Sequence, residues 1–183
     1  MTSPDLPTAH DIASFWRDAG PERWFAKNDA FDAEFGTRFL TAHEVAARGE
    51  LSHWAKEPEG ALALLVLLDQ FPRNTFRGQA RAFATDPMAL AVAREAIEAG
   101  LDLQIDEELR RFFYLPFMHS ESLADQERSV ELNAALDANT QRFAVLHRDI
   151  IARFGRFPHR NKLLGRTSSA EEQRFLDEGG FAG

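Results

Sequence analysis

The sequence contains no cysteine among its 183 residues. Disulfides, thiolate nucleophiles and cysteine metal sites are excluded together, which leaves histidines and carboxylates as the available metal ligands. The same absence fits a reducing, cytoplasmic setting. Lysine is nearly as scarce: of 21 basic residues only Lys27, Lys56 and Lys162 are lysines, so the positive charge is almost all guanidinium. That group suits two-pronged pairing with carboxylate or phosphate, although a compositional bias of the genome is the better account of most surface arginines. Long apolar runs are missing too. The longest, Ala61 to Leu68, falls far short of the roughly 20 residues that a bilayer-crossing helix needs, and no membrane span is expected. The start of the chain, Met1 to Pro7, has neither the basic residues nor the apolar stretch of a secretory signal. No glycine-rich phosphate loop is present, so nucleotide-binding folds are unsupported. A formal net charge of −8 argues against nonspecific DNA or RNA binding, which depends on neutralising phosphates.

What is present is helical patterning. With 44% hydrophobic residues and 16 phenylalanines, the chain can bury one substantial core but is short for two, and we expect a single domain over residues 1–183. No period-2 alternation is long enough to argue for a sheet, so the expected fold is all-α, an irregular array of about eight antiparallel helices. Thr8 and Asp11 form a capping-box pair before a helix carrying Ile12, Phe15 and Trp16, which Gly20-Pro21 ends. A short turn from Glu22 to Phe25 follows. Asn28 and Asp29 cap a helix with Phe31, Phe35 and Phe39 on one face, continued by Ala42 and Val45. A helix from Glu59 to Gln70, apolar all round, is expected at the centre. Further helices are read after Thr85-Asp86-Pro87, over Asp106 to Tyr114, Ser122 to Leu136 and Thr140 to Phe154. The last starts near Ser168, with Ser168 to Glu171 as its capping box. No clean repeat period is visible.

One phrase occurs twice at helix exits: Asp69-Gln70-Phe71-Pro72-Arg73-Asn74 and Gly155-Arg156-Phe157-Pro158-His159-Arg160-Asn161. Because Phe71 precedes proline, the first helix is expected to stop at Gln70, leaving Asp69 in a last turn whose dipole disfavours an anion. Arg73, Arg77 or an arginine of the second exit is then its expected partner. At the second exit, Gly155 reads as a C-terminal cap, and Arg153, Arg156, Arg160, Lys162 and Arg166 crowd around it. Cations near a helix C-terminus are favourable in themselves, but this cluster exceeds what capping requires. Paired with Asn74 and Asn161, such guanidinium groups form a site for carboxylate or phosphate. The competing reading is a set of buried salt bridges that pin helix ends together.

The histidines divide similarly. His147 falls at helical spacing from Phe143, Ile150, Ile151 and Phe154, which points to a hydrogen-bonded core histidine. His119 and Glu121 follow a helix expected to break at Pro116, and can face a cavity. His119, Glu121, His147 and His159 would be the available metal ligands, but their spacing lacks the i, i+4 pair of a zinc helix, and neither metal nor cofactor is expected. Ser120 beside His119 is not a catalytic dyad on adjacency alone.

Four phrases carry a wider resemblance: Leu65 to Gly78, Arg81 to Asp86, Leu115 to Glu121 and Phe154 to Arg166. Together they make the chain similar to a bacterial family known as domain of unknown function 924, over nearly its whole length. The resemblance implies a divergent tetratricopeptide-like helical fold and no reaction. Phe35-Gly36-Thr37-Arg38-Phe39-Leu40 departs from the family's more polar stretch, and Gly36 is expected to loosen the third helix.

The expected function is a binding module in which Asp69, Arg73, Asn74, Arg77, His119, Glu121, His147, Arg156, His159, Arg160 and Asn161 serve an acidic small molecule, peptide or protein. The alternative is an enzyme or sensor for a small phosphorylated or carboxylate metabolite, with a histidine as acid or base. A third reading makes the arginines a purely internal lock. Aromatics around Trp16, Trp24 and Trp54 offer a surface for a homo-oligomer, although core packing is the safer reading for each.

Overall fold

The computed structural model of the chain describes residues 6–182, so most of the segment read for a secretory signal lies outside it. Among the described residues the fold is all-α, with no strand. No helix among them is long and apolar enough to cross a membrane. The fold divides into two compact units, one comprising the chain up to Arg77 with Arg81–Pro116, the other Gly78–Ala80 with the chain from Phe117 onward.

The first unit begins with α1 (Ala9–Ala19), whose capping box is as expected: Asp11 N–H donates to Thr8 Oγ1 at 3.2 Å, and Thr8 N–H donates to the Asp11 carboxylate at 2.8 Å. Gly20 ends it, and Pro21 opens α2 (Pro21–Trp24), where proline's missing N–H costs nothing in a first turn. Trp16 and Trp24 are buried, and Trp24 Nε1 donates to the Trp16 carbonyl at 2.7 Å. These two indoles belong to the core and are no part of an association surface. Asn28 caps α3 (Asp29–Ala47), and Phe31, Phe35, Phe39 and His43 follow at intervals of four residues along its buried stripe.

Gly36 does not loosen α3, which runs unbroken. Its lack of a side chain has another use. A methyl group here would sit 3.3 Å from Thr75 Cγ2, so glycine lets α3 lie close to the segment Phe71–Thr75.

The helix α4 (Pro58–Leu65) packs on α1 and on the 3-10 turn Ser52–Lys56, and Gly60 to Leu65 are all buried, as expected of a central element. It does not stop at Gln70. A π-helical segment, Val66–Gln70, leads directly into α5 (Phe71–Thr75). Phe71 keeps right-handed helical angles, φ −51° and ψ −49°, despite the following Pro72. The reason is steric: the wider π turn accommodates the proline ring, which in an α-helix meets the carbonyl four residues back. α6 (Asp86–Glu98) then packs small alanines, Ala89, Ala93 and Ala96, against α4 and the π segment. α7 (Glu107–Met118) carries Pro116 inside it and continues past the expected stop at Tyr114.

In the second unit α8 (Leu123–Asn133) packs against α9 (Ala138–Phe154). Asp137 caps α9, accepting from the N–H groups of Asn139 and Thr140, so the helix starts two residues earlier than Thr140. Gly155 closes it in the left-handed region at φ 70°, as expected. Ile150, Ile151 and Phe157 form a small core with Phe154, Phe175 and Phe181 around it. The last helix, α10 (Ala170–Asp177), is capped by Ser169 and Glu172, one residue on from the expected pair.

Candidate functional site

The first exit lies in the first unit, and its polar groups have carboxylate partners. Arg73 donates to Asp69 Oδ1 at 3.1 Å and to the Asp69 carbonyl at 3.0 Å. Its guanidinium also takes both Asp86 oxygens, at 2.7 and 2.9 Å. Asp69 is 1% exposed and accepts from Gln70 Nε2 at 2.6 Å. It stands in the π turn in mid-helix, not in a C-terminal turn as the sequence suggested. Asp86 occupies the first turn of α6, where the helix dipole favours an anion. Burial disfavours the charge on Arg73, but Asp69 and Asp86 more than compensate, so its pKa is raised. Asn74 donates to Asp32 Oδ1 at 2.7 Å and Arg77 to Asp32 Oδ2 at 3.1 Å, so Asp32 takes both.

Pro72 has a second consequence. The Phe71 N–H reaches back five residues to Val66, which takes the α-helical donor away from the Leu67 carbonyl. The next N–H along would belong to Pro72, which has none. His43 supplies the missing donor, its Nδ1–H meeting the Leu67 carbonyl at 2.9 Å. A carbonyl only accepts, so this contact fixes the protonated nitrogen. His43 is buried and stacks on Phe71 with centroids 4.8 Å apart. Burial pushes its pKa below the ordinary value, opposed only in part by the Leu67 hydrogen bond. Sequence reading missed His43, although its position four residues beyond Phe39 marks it as part of the same face.

The second exit lies in the second unit. Arg166 holds Glu121 with two prongs, at 2.7 and 3.0 Å, and the Phe157 N–H adds a third donor at 2.8 Å. Arg166 also donates to Asn161 Oδ1 at 2.9 Å, and Asn161 Nδ2 donates to Ser168 Oγ at 3.1 Å. Burial raises the Glu121 pKa, but the Arg166 and Phe157 hydrogen bonds outweigh it and the net shift is downward. Arg160 is buried, donates to the His119 carbonyl at 3.0 Å and lies over the Phe157 ring at 4.5 Å.

Arg156 is held differently. It grips both oxygens of Glu172, at 2.6 and 2.8 Å, and the Thr167 carbonyl at 2.8 Å. Glu172 is also the capping residue of α10, receiving the Ser169 N–H at 2.7 Å. The Arg156 hydrogen bonds lead in lowering its pKa to about 2. His147 donates from Nδ1 to the Phe143 carbonyl at 2.7 Å, as a core histidine should, and its ring meets Phe157 and Phe181 edge-on. His159 packs on the same two rings. Among the described residues no three histidine, aspartate or glutamate side chains are grouped as a metal ion would need.

The structure therefore gathers Asp69 and Arg73 around Asp86, Asn74 and Arg77 around Asp32, Arg156 at Glu172, and Glu121 and Asn161 around Arg166. Glu172, Asp86 and Asp32 were absent from the expected site residues, and Arg166 was read in the second-exit cluster without its partner. Glu172 carried a signal, since it stands three residues after a serine that caps a helix. The others lie too far along the chain from their partners for spacing to connect them.

The profile of the bacterial proteins of unknown function DUF924 matches residues 12–180. The chain belongs to this family. A protein of unknown function from Agrobacterium tumefaciens, whose structure is solved, is 53% identical, with a TM-score of 0.91 over 93% of this chain and 97% of that one. No curated protein matches.

Proposed function

We propose that this DUF924 protein is a binding module for an acidic ligand, and that the ligand engages the Arg166 guanidinium at the second exit. One observation carries the reading. Glu121 is held by a two-pronged guanidinium and a main-chain N–H, a donor set suited to carboxylate or phosphate oxygens, and the pair is partly open to solvent at 29% and 23% exposure. The carboxylates held by Arg73 and Arg156 at the two exits are more closed. Asp69 is 1% exposed, Asp86 16% and Glu172 4%, which supports a structural role for Arg73 and Arg156. Glu121 thus marks where an external carboxylate or phosphate would sit, with Asn161 and Arg160 holding the donors in place. The cysteine-free composition supports a cytoplasmic setting.

The test is thermal unfolding against carboxylates, phosphates and acidic peptides, using the wild type, Glu121→Gln and Arg166→Ala. A ligand at a hundred times its dissociation constant stabilises by about 2.7 kcal/mol. Stabilisation that grows in Glu121→Gln, where the internal competitor is gone, and disappears in Arg166→Ala supports the reading. The panel separates small anions from peptides, and consumption of the ligand would mark an enzyme instead. If no anion shifts either the wild type or Glu121→Gln, the cluster is an internal lock.

A further inference from the structure

Past α10 the chain turns back within the second unit. Gly179 N–H donates to the Leu176 carbonyl at 3.1 Å and Gly180 N–H to the Phe175 carbonyl at 2.9 Å. A methyl group on residue 180 would lie 2.5 Å from the Phe175 carbonyl oxygen and 2.6 Å from its ring, so only glycine permits so tight a return. The turn delivers Phe181 to the small core of Ile150, Ile151 and Phe157. There it closes a cycle of four rings. His147 lies 5.6 Å from Phe157 and 4.6 Å from Phe181 between centroids, and His159 lies 5.6 and 5.4 Å from the same two. Every side of the cycle falls within the range of favourable aromatic pairs.

What this cycle holds is Phe157. Its side chain is fully buried, with the Arg160 guanidinium 4.5 Å over the ring. Its main chain serves the second exit twice, since the N–H donates to Glu121 Oε1 at 2.8 Å and the carbonyl accepts from Arg166 Nη2 at 3.1 Å. A side chain locked by packing fixes the backbone that carries it. His147 makes a rigid post for the cycle, because its own hydrogen bond to the Phe143 carbonyl ties it to α9. Phe181 is the member contributed from beyond α10.

We infer that Phe181 is a positioning residue of the acidic-ligand site proposed at Arg166, and the inference rests on that reading. Phe181 touches neither Glu121 nor a ligand in its place. By bracing His147 and His159 it holds the Phe157 ring, and the ring sets where the N–H and carbonyl of that residue point. A ligand oxygen standing in for Glu121 meets the same N–H. The segment after α10 thus tunes affinity: with Phe181 seated the donors are preorganised, and with it withdrawn the N–H loses its fixed direction.

Hydrogen exchange of the Phe157 amide, read by NMR, tests this without a ligand. In Phe181→Ala that amide should exchange about three- to tenfold faster, the scale of one lost aromatic pair, while the amides of Ile150 and Ile151 keep their wild-type rates. Phe181→Tyr, which restores a ring, should recover the slow rate, and Gly180→Ala, which displaces the turn, should reproduce the fast one. Titration with inorganic phosphate is the second arm, and Phe181→Ala should bind it about three- to tenfold more weakly than the wild type, with Phe181→Tyr close to the wild type. The inference is overturned if the Phe157 amide of Phe181→Ala exchanges at the wild-type rate. It is overturned equally if the α9 amides speed up by the same factor, which would make Phe181 ordinary core packing, or if phosphate affinity is unchanged in that variant. Should phosphate not bind even the wild type, the acidic-ligand reading fails for that anion, while the Phe157 exchange rate still decides whether Phe181 positions the contact with Glu121.

Discussion

Thr85 donates its hydroxyl to the main-chain carbonyl of Leu68 at 2.5 Å, and this is the carbonyl that Pro72, four residues on, has no N–H to meet. With His43 on the Leu67 carbonyl, two side chains from outside the helix satisfy two consecutive carbonyls that the π turn and the proline release. The motif proline therefore continues the central helix while handing its hydrogen bonds to α3 and to the start of α6.

Replacing Thr85 by valine keeps the shape and removes the donor beside a buried carbonyl. We expect a loss of about 1–3 kcal/mol, with Thr85→Ser close to the wild type. Urea unfolding decides it, and a valine variant as stable as the wild type would mean that the Leu68 carbonyl needs no side-chain partner.

Arg73→Ala leaves Asp69 buried at 1% exposure without its guanidinium. Stranding such a charge costs about 3–5 kcal/mol. Arg73→Lys should cost less but still be measurable, since an ammonium cannot reproduce the two-pronged grip on Asp86. Equal melting temperatures for the alanine variant and the wild type would remove the structural role assigned to the first exit.

His43 gives stability a pH dependence near neutrality. Its folded pKa lies below the ordinary 6.5, so in acid the unfolded chain takes up the proton first. The contribution is full above pH 6.5 and declines as pH falls toward the lower folded value. Unfolding free energies between roughly pH 5 and pH 8 should slope upward in the wild type, with a smaller slope in His43→Gln. Identical slopes would show that His43 is not the titrating group.

Glu172 acts in a lower window. Its carboxyl moves from 4.5 to about 2 on folding, so its contribution is complete above pH 4.5 and fades as pH falls toward 2. Glu121 is shifted in the same direction. The stability gap between the wild type and Glu172→Gln should be widest above pH 4.5 and narrow in acid, measured by chemical denaturation over that range. A gap independent of pH would assign the loss to the α10 cap alone.

Gln126 is a fifth case. Its Nε2 donates to the carbonyls of Phe117, Met118 and Ser120, at 3.3, 2.7 and 2.6 Å, and so closes the end of α7 that leads to Glu121. Gln126→Ala should destabilise by about 1–3 kcal/mol and weaken ligand binding at Arg166, whereas loss of stability with unchanged binding would separate the two roles.

The sequence by itself determined what local physics controls. Capping pairs such as Thr8 with Asp11, the phenylalanine stripe of α3, the all-round apolar centre and the left-handed glycine at 155 act within one or two helical turns, so spacing reveals them. The all-α class follows from the same periodicity. The tertiary structure decided which charges meet. Arg73 finds Asp86 thirteen residues away, and Arg166 finds Glu121 forty-five residues away. A guanidinium donates to any carboxylate within reach, so composition could suggest an anion site but not show which arginines were already engaged. The helix through Pro72 was hidden for a related reason: local rules stop a helix before proline, and its continuation rests on a π turn whose released carbonyls are met by donors from distant parts of the chain, His43 and Thr85.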